Sequence, residues 1–159
     1  MSISLNYLKH KNFAIYGLGV TGRSVINYFN KHGFKNYVGW DDDNQAFKKF
    51  LGSKYKGMRS DFLELINFVD YIVVSPGVNI NKAKLKKILL KNKHKIITDL
   101  DLFYLLNPDL KSIVVTGTNG KSTTCKIIEH TLRKNYFNVS LGGNIGSPIL
   151  SLNLKKNPL

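Results

Sequence analysis

Asn12-Phe13-Ala14-Ile15-Tyr16-Gly17-Leu18-Gly19-Val20-Thr21-Gly22 runs from an apolar stretch straight into the pattern G-x-G-x-x-G, and helical periodicity begins at its last glycine. A strand, a tight turn and a helix are predicted in that order. Each glycine has a physical reason. Gly17 permits the tight turn, Gly19 lets the backbone approach a diphosphate, and Gly22 lets the helix pack closely on the strand. Asp41 stands at the end of the next apolar run, where an acid can bind a ribose diol. Taken alone, the loop fits a dinucleotide, any other nucleotide diphosphate, or a β-α turn that holds no ligand.

Outward from this loop, apolar runs alternate with amphipathic stretches. Strands are predicted at 12–16, 37–40, 71–75, 95–98, 112–116 and 139–141. Helices are predicted at about 22–31, 45–51, 61–68, 82–91, 99–106 and 121–135. Alternation of this kind implies an α/β fold, a Rossmann-like parallel sheet with right-handed crossovers. Asn107-Pro108-Asp109 breaks the pattern, so a domain boundary is expected nearby. The predicted division is a first domain at 1–98 and the beginning of a second at 99–159. After the break comes little more than one β-α-β unit, which leaves a sheet edge and most of a face bare. The chain is therefore expected to stop partway through its second domain.

A second glycine loop, Thr116-Gly117-Thr118-Asn119-Gly120-Lys121-Ser122-Thr123, follows the apolar run Ser112-Ile113-Val114-Val115 and precedes a helical pattern. That is the strand-loop-helix setting of a phosphate-gripping P-loop. Its glycines let backbone N–H groups turn toward phosphate oxygens, Lys121 can reach the β and γ oxygens, and Ser122 can offer its hydroxyl to Mg²⁺. ATP and Mg²⁺ are the expected ligands. The loop is a shortened variant, G-x-x-G-K-S, because Val115 stands where the longer motif has its first glycine. Ser75-Pro76-Gly77-Val78 and Gly142-Gly143-Asn144-Ile145-Gly146 follow predicted strands in the same way, so four glycine-bearing segments fall at strand carboxyl ends, where α/β sheets bind ligands.

Composition narrows the class. The 159 residues are 43% hydrophobic, ample for a core. No apolar run approaches the roughly 18 to 20 residues of a membrane span, and Met1-Ser2-Ile3-Ser4-Leu5 lacks the order of a signal peptide. A cytoplasmic protein without a membrane partner is expected. Cys125 is the single cysteine, which excludes an internal disulfide and a cysteine metal cluster. His10, His32, His94 and His130 lie outside any motif. The formal charge of +14 is almost all lysine, spread along the chain, with Arg23, Arg59 and Arg133 the only arginines. Nucleic-acid binders concentrate arginine and aromatics on one face, so no nucleic-acid partner is expected.

With these motifs in place the chain resembles the ATP-dependent Mur ligases of peptidoglycan synthesis, and within them the branch that joins D-glutamate to UDP-N-acetylmuramoyl-L-alanine. The resemblance spans nearly the whole chain. The 17–22 loop looks like that branch's UDP-sugar loop, Ser75-Pro76-Gly77-Val78 like its S-P-G-[IV] segment, and Thr98-Asp99-Leu100-Asp101-Leu102-Phe103 like its domain junction. Residues 117–123, G-T-N-G-K-S-T, look like its ATP loop, and 142–146 like its G-G-N-I-G. Sister ligases differ at Asn119 and Ser122, and folylpolyglutamate synthases lack the first glycine loop.

The resemblance implies a ligase acting through an acyl phosphate, with ATP and Mg²⁺, on UDP-N-acetylmuramoyl-L-alanine and D-glutamate, as a cytoplasmic monomer. By it Gly117, Thr118, Asn119, Gly120, Lys121, Ser122 and Thr123 would hold ATP, with Lys121 catalytic and Ser122 on the Mg²⁺. Gly17, Gly19, Val20, Thr21, Asp41, Ser75, Gly77 and Asn144 would line the UDP-sugar site. Where some members follow the strand-end Asp with Thr-Arg, this chain has Asp42-Asp43, which leaves the uracil and ribose contacts open. The family's further metal-binding Glu and His, its carbamoylated Lys and its C-terminal domain have no counterpart, so the chain alone is expected to be inactive. Two rival readings stand: a regulatory module whose 17–22 loop and Asp41 hold NAD, and a P-loop kinase or GTPase-like switch.

Overall fold

A computed structural model describes residues 5–51 and 58–154. The elements run α1 (Leu5–Lys9), β1 (Phe13–Tyr16), α2 (Val20–His32), β2 (Tyr37–Trp40), α3 (Asn44–Leu51), α4 (Met58–Leu65), β3 (Tyr71–Val74), α5 (Lys86–Lys91), β4 (Ile96–Ile97), α6 (Asp99–Leu106) and α7 (Lys121–Lys134). The four strands form one parallel sheet in the order β2-β1-β3-β4. Phe13 pairs with Tyr37 on one side and Tyr71 on the other, and Tyr16 with Trp40 and Val74. The α/β fold predicted from the alternation is the fold found.

Every residue of β1 is buried, as a central parallel strand with both faces covered requires. Its alternating side chains supply two packed layers. On one face the Phe13 ring lies 4.9 Å from Phe29 of α2 and 5.9 Å from Phe34. On the other, Tyr16 and Trp40 meet Phe62 of α4 at 6.1 and 5.7 Å, in a cluster with Ala14, Ile72, Val74, Ile66 and Leu89. Helix α2 ends at Gly33, whose φ of 75° is the left-handed conformation that glycine adopts without a Cβ penalty.

The predicted helix 82–91 is broken in two. A short 3-10 turn, Ile80–Lys82, is capped by Asn79, whose side chain accepts from the Asn81 N–H, and α5 begins only at Lys86. Between them the Lys84 N–H donates to the Asp42 carboxylate at 2.9 Å, so a tertiary hydrogen bond replaces a helical one.

By contacts the chain divides into two compact units, Met1–Pro108 and Asp109–Leu159. The first includes α6. In the second unit α7 forms where the helix was predicted, but the predicted strands 112–116 and 139–141 do not. A strand exists only through its ladder, and among the described residues neither segment has a ladder partner. Ile113 and Val114 accordingly stay exposed, and among the described residues of this unit the only strand-type pairing is the isolated bridge Gly142 to Ser147.

Candidate functional site

The strand order reverses at β1: the chain passes from β1 to β2 on one side, then returns to β3 on the other. The carboxyl ends flanking such a switch point form the ligand crevice of open α/β sheets. The 17–22 loop follows β1 there, Asp41 follows β2, and Ser75-Pro76-Gly77 follows β3.

The loop's three glycines have three different surroundings. Gly17 has φ +94°, and a Cβ on it would stand 2.7 Å from Val78 Cγ2 and 2.9 Å from Ser75 Cβ. Gly22 lies against the turn itself, where a Cβ would come within 1.9 Å of the Gly17 carbonyl oxygen. Gly19 is open, with nothing within 4 Å of a Cβ, and it is the N-cap of α2 with no side-chain cap bond. Helix α2 therefore presents backbone N–H groups toward the crevice, a favourable place for an anion. Val20 is 68% exposed beside them, and the Thr21 carbonyl accepts from the Ser24 hydroxyl at 2.7 Å.

Asp41 and Ser75 both reach the loop. The Leu18 N–H donates to one Asp41 oxygen at 2.6 Å and the Asp43 N–H to the other at 2.8 Å. The Ser75 hydroxyl, buried, donates to the Gly17 carbonyl at 2.7 Å. Gly77 is exposed, with open space where a Cβ would go.

Asp42, which motif reading left without a role, is a hub. One carboxylate oxygen accepts from the Tyr16 hydroxyl at 2.5 Å and from Trp40 Nε1 at 2.9 Å, and the other from the Lys84 N–H. Lys84 Nζ donates to the Asp42 carbonyl at 2.7 Å. Burial alone would raise the Asp42 carboxyl, but the bonds from Tyr16, Lys84 and Trp40 together hold it below its ordinary value. Burial, aided by that carboxylate, pushes the Tyr16 phenol well above its own. The only signal in the sequence was the pair Asp42-Asp43 at a strand end; the partners come from β1, from β2 and from Lys84.

The second unit carries the other predicted residues. Gly117 and Gly120 have φ of 143° and 75°, and Gly120 is the N-cap of α7 with no side-chain cap bond. Lys121 Nζ donates to the carbonyls of Gly117 and Thr118, folding the ammonium over its own loop. Thr118, Asn119, Ser122 and Thr123 are exposed, as is Asn144 in the 142–146 turn. An uncapped helix N-terminus with an adjacent ammonium and a free-standing hydroxyl at Ser122 is a donor set that fits a Mg²⁺-bound triphosphate. Among the described residues no cluster of His, Cys, Asp and Glu could itself hold a metal ion, and no helix is long and apolar enough to cross a membrane.

Comparison with known proteins agrees with the motif pattern. A family model described as "Mur ligase MurD-like, N-terminal domain" matches residues 11–98. Similar proteins include the UDP-N-acetylmuramoylalanine--D-glutamate ligase of Wolbachia pipientis wMel, 36% identical over 94% of this chain and 30% of its own length. The ligase of the same name from Rickettsia prowazekii (strain Madrid E) is 37% identical over 92% of this chain and 32% of its own. That from Buchnera aphidicola subsp. Schizaphis graminum (strain Sg) is 34% identical over 99% and 35%. The chain thus spans about a third of the length of the curated relatives it matches.

Proposed function

The chain belongs to the Mur ligase family, in its MurD-like branch, and from that premise we propose that it supplies the UDP-sugar site and the opening of the ATP site of a peptidoglycan-precursor ligase. The ligase adds D-glutamate to UDP-N-acetylmuramoyl-L-alanine at the cost of ATP. Residues 1–98 are the UDP-sugar-binding domain and 99–159 the beginning of the central ATP-binding domain. The observation that carries the reading is the 17–22 loop: an uncapped helix N-terminus at the sheet's switch point, with an open face at Gly19.

The roles follow from chemistry. Gly19, Val20 and Thr21 bring backbone N–H groups to the diphosphate from the turn that Gly17 makes, with Asp41, Ser75 and Gly77 at the neighbouring strand ends. Gly117 to Thr123 would cradle ATP, and Lys121 would exchange its bonds to the Gly117 and Thr118 carbonyls for phosphate oxygens, neutralising charge as the L-alanine carboxylate attacks the γ-phosphorus in line, forming an acyl phosphate and releasing ADP. Mg²⁺, held in part by Ser122, supplies further charge neutralisation when bound. The amine of D-glutamate then displaces phosphate.

A dinucleotide reading asks Asp41 to take a ribose diol. Each of its oxygens already accepts one backbone N–H, and UDP and NAD both carry a ribose diol, so titration separates the two readings. Calorimetric titration of the chain with UDP-N-acetylmuramoyl-L-alanine, UDP and NAD tests the proposal. Saturable binding of the first two and none of NAD is expected. Binding of NAD with UDP ignored overturns it.

A further inference from the structure

The Gly17–Leu18 peptide is held at both of its polar ends by side chains from two other strand ends. Its carbonyl accepts from the Ser75 hydroxyl at 2.7 Å, and its N–H donates to Asp41 at 2.6 Å. The same strand ends also hold the loop through backbone bonds: the Gly17 N–H donates to the Trp40 carbonyl at 2.8 Å, and the Ser75 N–H to the Tyr16 carbonyl at 2.9 Å. Sterics close the remaining freedom, since Gly22 backs the Gly17 carbonyl so closely that no Cβ fits between them. A peptide plane fixed at its oxygen, at its nitrogen and from behind cannot rotate about its neighbouring bonds. The N–H groups that follow it, at Gly19 and Val20, inherit its orientation at the start of α2.

We infer that Ser75 and Asp41 are positioning residues, a clamp on the Gly17–Leu18 peptide that aims the N–H groups at the α2 N-terminus toward a diphosphate, and that neither owes its presence to direct contact with the nucleoside. The inference rests on the diphosphate reading of the 17–22 loop and deepens it. The hydrogen-bond inventory supports the assignment. A serine hydroxyl has one proton, and Ser75 gives its proton to Gly17 while only 8% exposed. A preorganised loop also binds more tightly because the ordering entropy of its amides has already been lost on folding.

Two measurements on the 159-residue chain test this. The first is amide exchange at Leu18 in Ser75→Ala. Ser75 does not touch that N–H, so faster exchange there, by roughly five- to tenfold for one lost hydrogen bond, reports release of the whole peptide. Unchanged Leu18 exchange in a folded Ser75→Ala chain overturns the clamp. The second compares ligands: Ser75→Ala, and Asp41→Asn as an independent variant, should weaken UDP and inorganic pyrophosphate by the same factor and leave uridine unaffected. A loss shared by UDP and uridine, with pyrophosphate unchanged, would instead make these residues nucleoside contacts and sink the inference. If the unaltered chain binds neither UDP nor pyrophosphate, the diphosphate reading fails, and Leu18 exchange still decides whether the clamp exists.

Discussion

Gly19 and Gly22 lie in one loop and should respond oppositely to a side chain. At Gly22 an added Cβ would sit 1.9 Å from the Gly17 carbonyl oxygen, a backbone atom that can move only by distorting the turn. Gly22→Ala should therefore lower stability by about 1 to 3 kcal/mol, the range of overpacked sites, read as a fall in thermal midpoint. Gly19 has an ordinary φ of −66° and open space around it. Gly19→Val should melt close to the unaltered chain yet lose UDP, because its side chain fills the space through which the backbone meets the diphosphate. A normal midpoint in Gly22→Ala, or normal UDP affinity in Gly19→Val, would contradict the assigned role. The steric surroundings of the two glycines were legible because G-x-G-x-x-G spacing encodes them through geometry alone. The bonds of Asp41 and Ser75 to the loop were not, since sequence places a carboxylate and a hydroxyl at strand ends without saying which backbone group each will find.

Helix α6 shows what local chemistry fixes at the scale of an element. Its predicted bounds, 99–106, are those observed, and its start is held by a capping box. The Asp101 N–H donates to Thr98 Oγ1 at 3.2 Å, and the Thr98 N–H donates to Asp101 Oδ2 at 2.8 Å. Thr98→Ala removes one half of the box and should cost about 1 kcal/mol of stability, whereas Thr98→Ser should cost much less. Equal midpoints for the alanine and serine variants in thermal melts would show that the cap contributes nothing. Elements that depend on distant partners were harder to read. The run Ser112-Ile113-Val114-Val115 has strand composition but no ladder neighbour among the described residues, and the 82–91 helix lost its first turns to Asn79 and Asp42. Helix α1 escaped notice because five residues with one buried side chain, Leu8, leave no periodicity to detect.

At the scale of the whole molecule the two units are unequal. Alternation of apolar runs with amphipathic helices was enough to foresee the parallel sheet of the first unit, because both faces of each inner strand must be covered there. The described residues of the second unit form no comparable interior. Helix α7 buries none of its residues, Ile113, Val114, Ile127 and Phe137 are between 58% and 65% exposed, and Leu150 is the sole buried hydrophobic residue described in it. Ordering its backbone costs roughly 1 to 2 kcal/mol per residue, which so little apolar burial does not offset. A 14-residue helix without tertiary packing is marginal in water. Amide hydrogen exchange on the 159-residue chain should therefore show protection in β1, β2, β3 and α2, and exchange near the unstructured rate after Pro108. ATP should bind weakly or not at all despite an intact loop sequence, since the amides of 117–123 would have to be ordered at the moment of binding. Protection across residues 112–141 equal to that of β1 would mean that the second unit is stabilised by something other than the burial described, and the argument from exposed apolar surface would fall.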